Sequence, residues 1–272
     1  MVLGRIFARG SDPKSQAQGP QAGRVGRSAC PAGVRIYAIG DVHGRLDLLN
    51  LLHKEIVKDA ASANRLQKFI VYLGDYVDRG LESKGVMDAL LAGPPPGFEA
   101  VYLKGNHEQA MLEFLGDAAV GHSWRNFGGL ETLFSYGIGD AARLSTDEDF
   151  ERARLKLVEV LPPNHLEFLQ TLEIAITLGD YCFVHAGVRP GVPLSRQSEE
   201  DLLWIREDFL DSRENFGKVI VHGHTPVPDP VVRPNRIGVD TGAYLTGTLT
   251  AVVLEGTTQR FLQSRTNYAQ AV

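Results

Sequence analysis

The chain has 272 residues, 43% of them apolar, enough to bury the core of one full-sized catalytic domain. Twenty-eight basic against thirty-three acidic residues leave a net charge of −5, and no lysine or arginine run is present, which excludes an electrostatic grip on nucleic acid. Two cysteines cannot form a disulfide scaffold, and no stretch reaches the ~18 apolar residues of a membrane span or resembles a cleavable leader, so the expectation is a cytoplasmic protein with no membrane partner.

In chain order, residues 1–33 end in a stretch rich in Gly, Pro, Ser and Gln with little to bury, predicting a disordered N-terminal tail. Val34 opens VRIYAIG, a short apolar run read as a buried strand and as the start of a catalytic domain over residues 34–265, with 266–272 a C-terminal tail. Further strands are predicted at Phe69–Leu73, Phe98–Leu103, Leu172–Leu178, Tyr181–Val184, Lys218–Val221, Arg236–Val239 and Thr248–Leu254. Leu46, Leu49, Leu52, Ile56 and Val57 recur at helical spacing after the first strand, as do Val86, Leu90 and Leu91 after the second. This βαβαβ order predicts a parallel first half, and the closely spaced later strands predict an antiparallel second half. Residues 109–172 form a helical middle segment broken at Gly128–Gly129 and Pro162–Pro163. The GxGxxA match at Gly137–Ala142 follows no strong strand and is read as a turn.

The polar residues that carry chemistry stand at the carboxyl ends of the predicted strands, where open α/β sheets place their sites. The first strand runs into Asp41-Val42-His43, the second into Asp75-Tyr76-Val77-Asp78-Arg79, and the third into Asn106-His107-Glu108; later ones run into His185 and into His222-Gly223-His224. The spacings 75−41 = 34 and 106−75 = 31 are each about one βαβ unit. Singly, each segment reads as a turn, a cap or an internal histidine; five of the eight histidines standing at such ends is a pattern. Carboxylate, imidazole and one amide oxygen suit Mn, Fe, Zn or Ni and offer no thiolate. Asp75, central in chain order, is the natural carboxylate to bridge two cations.

The motifs GDVHG, GDYVDRG, KGNHE, HAG and HGHTP, with Trp204-Ile205-Arg206 and Asp240–Ala243, resemble those of the phosphoprotein phosphatase family of calcineurin-like metallophosphoesterases, in its compact bacterial and bacteriophage lambda form. The resemblance spans residues 34–254 but not most of the helical middle. It implies an α/β metallophosphoesterase sandwich of mixed β-sheets flanked by helices. It also implies two divalent metal ions, manganese foremost, with iron, zinc or nickel also suited. Asp41, His43 and Asp75 would hold the first, and Asp75, Asn106, His185 and His224 the second; His222 is left to internal support. Arg79 and Arg206, with Asn106, would bind the substrate phosphate, and His107 would protonate the leaving oxygen while Asp78 orients it.

The implied activity is a metal-dependent phosphomonoester hydrolase, first of all a protein serine/threonine phosphatase, in which a hydroxide held between two metals attacks phosphorus in line. Its partner would be a phosphorylated protein or a small phosphoester. The alternative is hydrolysis of dinucleoside polyphosphates such as diadenosine tetraphosphate; relatives of that kind tend to carry Asn-Arg-Gly and GNHD, so Asp78-Arg79-Gly80 and Glu108 favour the phosphoprotein side. A non-catalytic scaffold should have lost ligands, and all six positions are intact. Lys104 departs from the arginine that many relatives place before GNHE.

Overall fold

The computed structural model describes residues 28–63, 65–139 and 143–266. Most of the N-terminal stretch (1–27), residues 267–272 and part of the GxGxxA segment (140–142) lie outside the described residues.

Two five-stranded sheets stack face to face. The first has the order β10-β9-β1-β2-β3, from β1 (Val34–Ile39), β2 (Gln67–Tyr72), β3 (Glu99–Tyr102), β9 (Thr248–Glu255) and β10 (Thr258–Arg265). The second has the order β4-β5-β6-β8-β7, from β4 (Ala175–Leu178), β5 (Tyr181–Val184), β6 (Val219–His222), β7 (Val231–Val232) and β8 (Arg236–Gly238). Strand alternation divides the core. On β1, Ile36 and Ala38 face the other sheet and meet Phe183, Val221 and Val252. Tyr37 and Ile39 face outward against α1 (Leu46–Ala60), whose Leu48, Leu52 and Ile56 are fully buried. Residues Leu202 and Phe209 cover the far face of the second sheet from α8 (Glu199–Trp204) and α9 (Glu207–Leu210).

The parallel expectation holds for β1-β2-β3, joined through α1 and α2 (Ser83–Leu91). The wholly antiparallel second half does not: β5, β6 and β8 run parallel, because the connection from β5 to β6 carries α8 and α9. The polar edge strand β10 was not foreseen, since its first three residues are exposed and its alternation is weak. The middle segment is helical: α3 (Asn106–Gly116), α4 (Gly121–Trp124), α5 (Gly129–Ser135), α6 (Asp147–Val160) and α7 (Pro163–Thr171). Pro163 sits at the first position of α7, where its missing N–H costs nothing.

Residues 28–33 lie against the domain. Cys30 is buried, its N–H donates to Gly256 O, and Ala29 exchanges hydrogen bonds with Asp180. Residues 28–33 are thus held against the domain ahead of Val34.

Candidate metal centre

Both sheets send their strand-end loops to one pocket. After β1 and β2, the N–H groups of Val42 and His43 donate to Asp75 O at 3.0 and 2.8 Å. After β5 and β6, Gly223 N–H donates to His185 O at 2.8 Å. The halves are joined because the His185 imidazole bonds through Nδ1 to Leu73 O at 2.8 Å, across from the other sheet. Two glycines make this convergence possible: a Cβ on Gly105 would strike Asp75, and one on Gly223 would strike Asp41.

Asp75 belongs to two clusters of ligand-type atoms, one with His43 and His107 and one with His185 and His224. His43 Nε2 is 3.5 Å from Asp75 Oδ2, and His185 Nε2 is 3.4 Å from Oδ1, so the two carboxylate oxygens face opposite ways. Asn106 Oδ1 lies 2.9 Å from both His185 Nε2 and His224 Nδ1, which are 3.2 Å apart. With Nδ1 of His185 spent on a carbonyl, its Nε2 carries a lone pair; His43 is placed likewise, with Nδ1 on Val77 O at 2.9 Å. Lone pairs and oxygens that converge in this way fit a pair of cations, each ringed by imidazole and carboxylate. Asp41 stands at the same wall, its carboxylate accepting the His224 N–H at 3.0 and 3.2 Å.

The electrostatics agree with that fit. Burial pushes Asp41 well above the usual carboxylate range, with Asp240 and Asp75 adding to it. Burial also opposes ionisation of Asp75, but His185, His107 and His43 hold it well below that range. Burial drives His43 down to about 3 and His224 to about 2, so both remain neutral. His107 differs: burial works against its charge, yet Asp75 and the bond to Asp78 carry it to about 9. Its Nε2 comes within 3.8 Å of Asp75 Oδ2; His185 is raised as well, burial working against its charge and Asp75 favouring it.

Asp78 is gripped from three sides: Oδ2 meets His107 Nδ1 at 2.6 Å and Trp124 Nε1 at 2.8 Å, and Oδ1 meets Thr132 Oγ1 at 2.6 Å. Trp124 and Thr132 come from the helical middle, and sequence reasoning missed both. The available signal was the Gly128–Gly129 patch: Gly128 O accepts the Arg79 N–H, and Gly129 leaves no room for a Cβ beside the Trp124 ring.

Five non-glycine residues among those described have positive φ: His43 at 45°, Asp75 at 53°, Asp78 at 73°, Arg79 at 68° and His224 at 66°. All five belong to this pocket, a concentration of backbone strain of the kind functional sites hold. Glu108 helps to hold it, its carboxylate accepting N–H groups of Gly105, Asp75, Tyr76 and Val77 at 2.7–3.2 Å. Asp240, which the sequence marks as part of a motif without giving it a role, has Oδ1 on the Gly242 N–H and a carboxyl pushed up by burial to about 6.

At the mouth, the Arg79 guanidinium lies 5.2 Å from the Tyr244 ring, and its buried Nε has no hydrogen-bond partner. Arg206 is exposed, and its charge acts on His224. Phe127 and Trp204 are about two-fifths exposed and stand against His107 and His224. His222 turns away, Nδ1 toward Gly223 O at 3.0 Å and Nε2 toward Arg236 at 3.3 Å, so internal support is its place. Among the described residues no helix is long and apolar enough to cross a membrane.

A family model for calcineurin-like phosphoesterases matches residues 34–252. The asymmetrical bis(5'-nucleosyl)-tetraphosphatase PrpE of Anoxybacillus flavithermus is 26% identical over 232 residues, 79% of this chain and 88% of its own. The same-named protein of Bacillus velezensis is 28% identical over 233 residues, covering 78% and 86%. A crystal structure described as a putative diadenosine tetraphosphatase superposes with a TM-score of 0.57 at 19% identity, over 88% of this chain and all of that one. A cold-active protein tyrosine phosphatase gives 0.52 at 18% identity over 86% and 81%, and both likenesses bear on the fold alone. The strand order, the loops that meet at Asp75 and the match over most of its length place this chain in the calcineurin-like phosphoesterase family.

Proposed function

We propose that the protein hydrolyses dinucleoside polyphosphates, with two divalent cations, manganese foremost, held by Asp41, His43, Asp75, Asn106, His185 and His224. The observation that carries the substrate class is the alignment with tetraphosphatases over nearly nine-tenths of their length. The two residues that favoured a phosphoprotein substrate in the sequence do not argue against it. Glu108 spends its carboxylate on backbone N–H groups, and Asp78 spends both oxygens on His107, Trp124 and Thr132, so neither is presented to a substrate.

The cations would supply an activated water and neutralise phosphate charge. Arg79 and Arg206 hold the phosphoryl oxygens, a task suited to the guanidinium fork. His107, kept charged by Asp75 and Asp78, gives its proton to the departing oxygen.

The test is purified protein with Mn²⁺, given diadenosine tetraphosphate, a phosphoserine peptide and p-nitrophenyl phosphate. The expected result is a kcat/KM at least tenfold higher for the dinucleotide than for the peptide. The reverse preference would return the protein to the phosphoprotein reading, and no turnover of any substrate would leave a scaffold.

A further inference from the structure

We infer that Trp204 is the stacking platform for the nucleobase of the nucleotide whose phosphate sits in the pocket. This deepens the dinucleotide reading and rests on it. Leu202, Leu203 and Ile205, its neighbours in the chain, are buried, yet Trp204 is 42% exposed. The chain thus turns its largest apolar side chain partly into water at the end of α8. That exposure is directed: the ring centroid is 6.4 Å from the His224 imidazole at 83°. Two residues on, Arg206 sets its positive charge near the same histidine.

A cation near a site for phosphate, with an open indole beside it, is the pairing a nucleotide asks for: charge for the phosphate and a flat, polarisable face for the base. Aromatic stacking is tolerant of base identity, so the platform would select nucleotides over other phosphoesters without choosing among bases.

The protein has two tryptophans, and the other, Trp124, is 1% exposed and bonded to Asp78, so the quenching that disappears in Trp204→Ala reports Trp204. AMP and ribose 5-phosphate differ only in the base and are the probes. With the Mn²⁺-loaded full chain, AMP is expected to quench the emission and to inhibit p-nitrophenyl phosphate hydrolysis at concentrations at least tenfold lower than ribose 5-phosphate. Trp204→Ala should erase that preference, and Trp204→Phe should keep most of it. Equal inhibition by the two compounds in the parent protein, or a preference that survives Trp204→Ala, overturns the inference. If the preference depends on Trp204 but diadenosine tetraphosphate is not cleaved, the base site stands and the dinucleotide reading falls.

Discussion

Replacing His107 with asparagine keeps a polar side chain but removes the proton donor. The variant should retain both metals by elemental analysis and lose ~10²-fold or more in kcat on a phosphoserine peptide, whose alkoxide needs a proton in order to leave. The loss should be smaller on diadenosine tetraphosphate, because a departing phosphate chain is a far weaker base; equal losses on both would remove His107 from the acid role. In the metal-free protein the His107 ring should hold its proton to about pH 9 by NMR titration, charged below and neutral above. Asp78→Asn should bring that midpoint down, since burial then acts with less opposition. Glu108→Gln would set an NH₂ group against two of the four backbone N–H donors, and a loss of about 3 kcal/mol is expected in urea unfolding, as for a buried network with an acceptor removed. At this scale the sequence was legible where a residue meets the pocket directly, as with Asp75 and His185. It was mute on Trp124 and Thr132, whose parts depend on which helix folds over Asp78, and it marked Asp240 as part of a motif without a role.

Strands buried on both faces announced themselves, because an apolar, β-branched run such as Val34–Ile39 has one economical solution. The edge strand β10 did not, since half its side chains meet water and its stabilisation lies in pairing with β9. That pairing has consequences beyond the sheet: Ser264 Oγ donates to Leu48 O, and Arg45 reaches Thr266 Oγ1, tying the edge to α1. Ending the chain after Glu255 should therefore leave β9 paired on its β1 side alone and uncover the α1 side of the core. The expected outcome is insoluble expression, or a protein lacking a cooperative melt by circular dichroism; a truncated chain with the parent's melting temperature would show β10 to be dispensable.

Across the whole molecule, the pocket is a junction of the two sheets, where His185 bonds across to Leu73 O, so its ligands act on stability as well as chemistry. Asp41, Asp75 and Asp240 crowd negative charge, and Asp41 is pushed toward the neutral form by burial, Asp240 and Asp75, and Asp240 by burial and Asp75. Cations answer that crowding. Mn²⁺ at ~100 times its dissociation constant should add about 2.7 kcal/mol, and chelation should lower the calorimetric melting temperature by roughly 5–10 °C. A melt indifferent to chelator would mean that the loops hold their shape without the ions.

The twisted backbone at His43, Asp75, Asp78, Arg79 and His224 sets thermal tolerance against activity. Glycine would rest easily at the Arg79 torsion, and Arg79→Gly gives up the contact with the Tyr244 ring but removes no proposed metal ligand, whereas glycine at His43, Asp75 or His224 would forfeit the stability that bound cations add. Heat resistance gained at Arg79 would come with a weaker hold on phosphate.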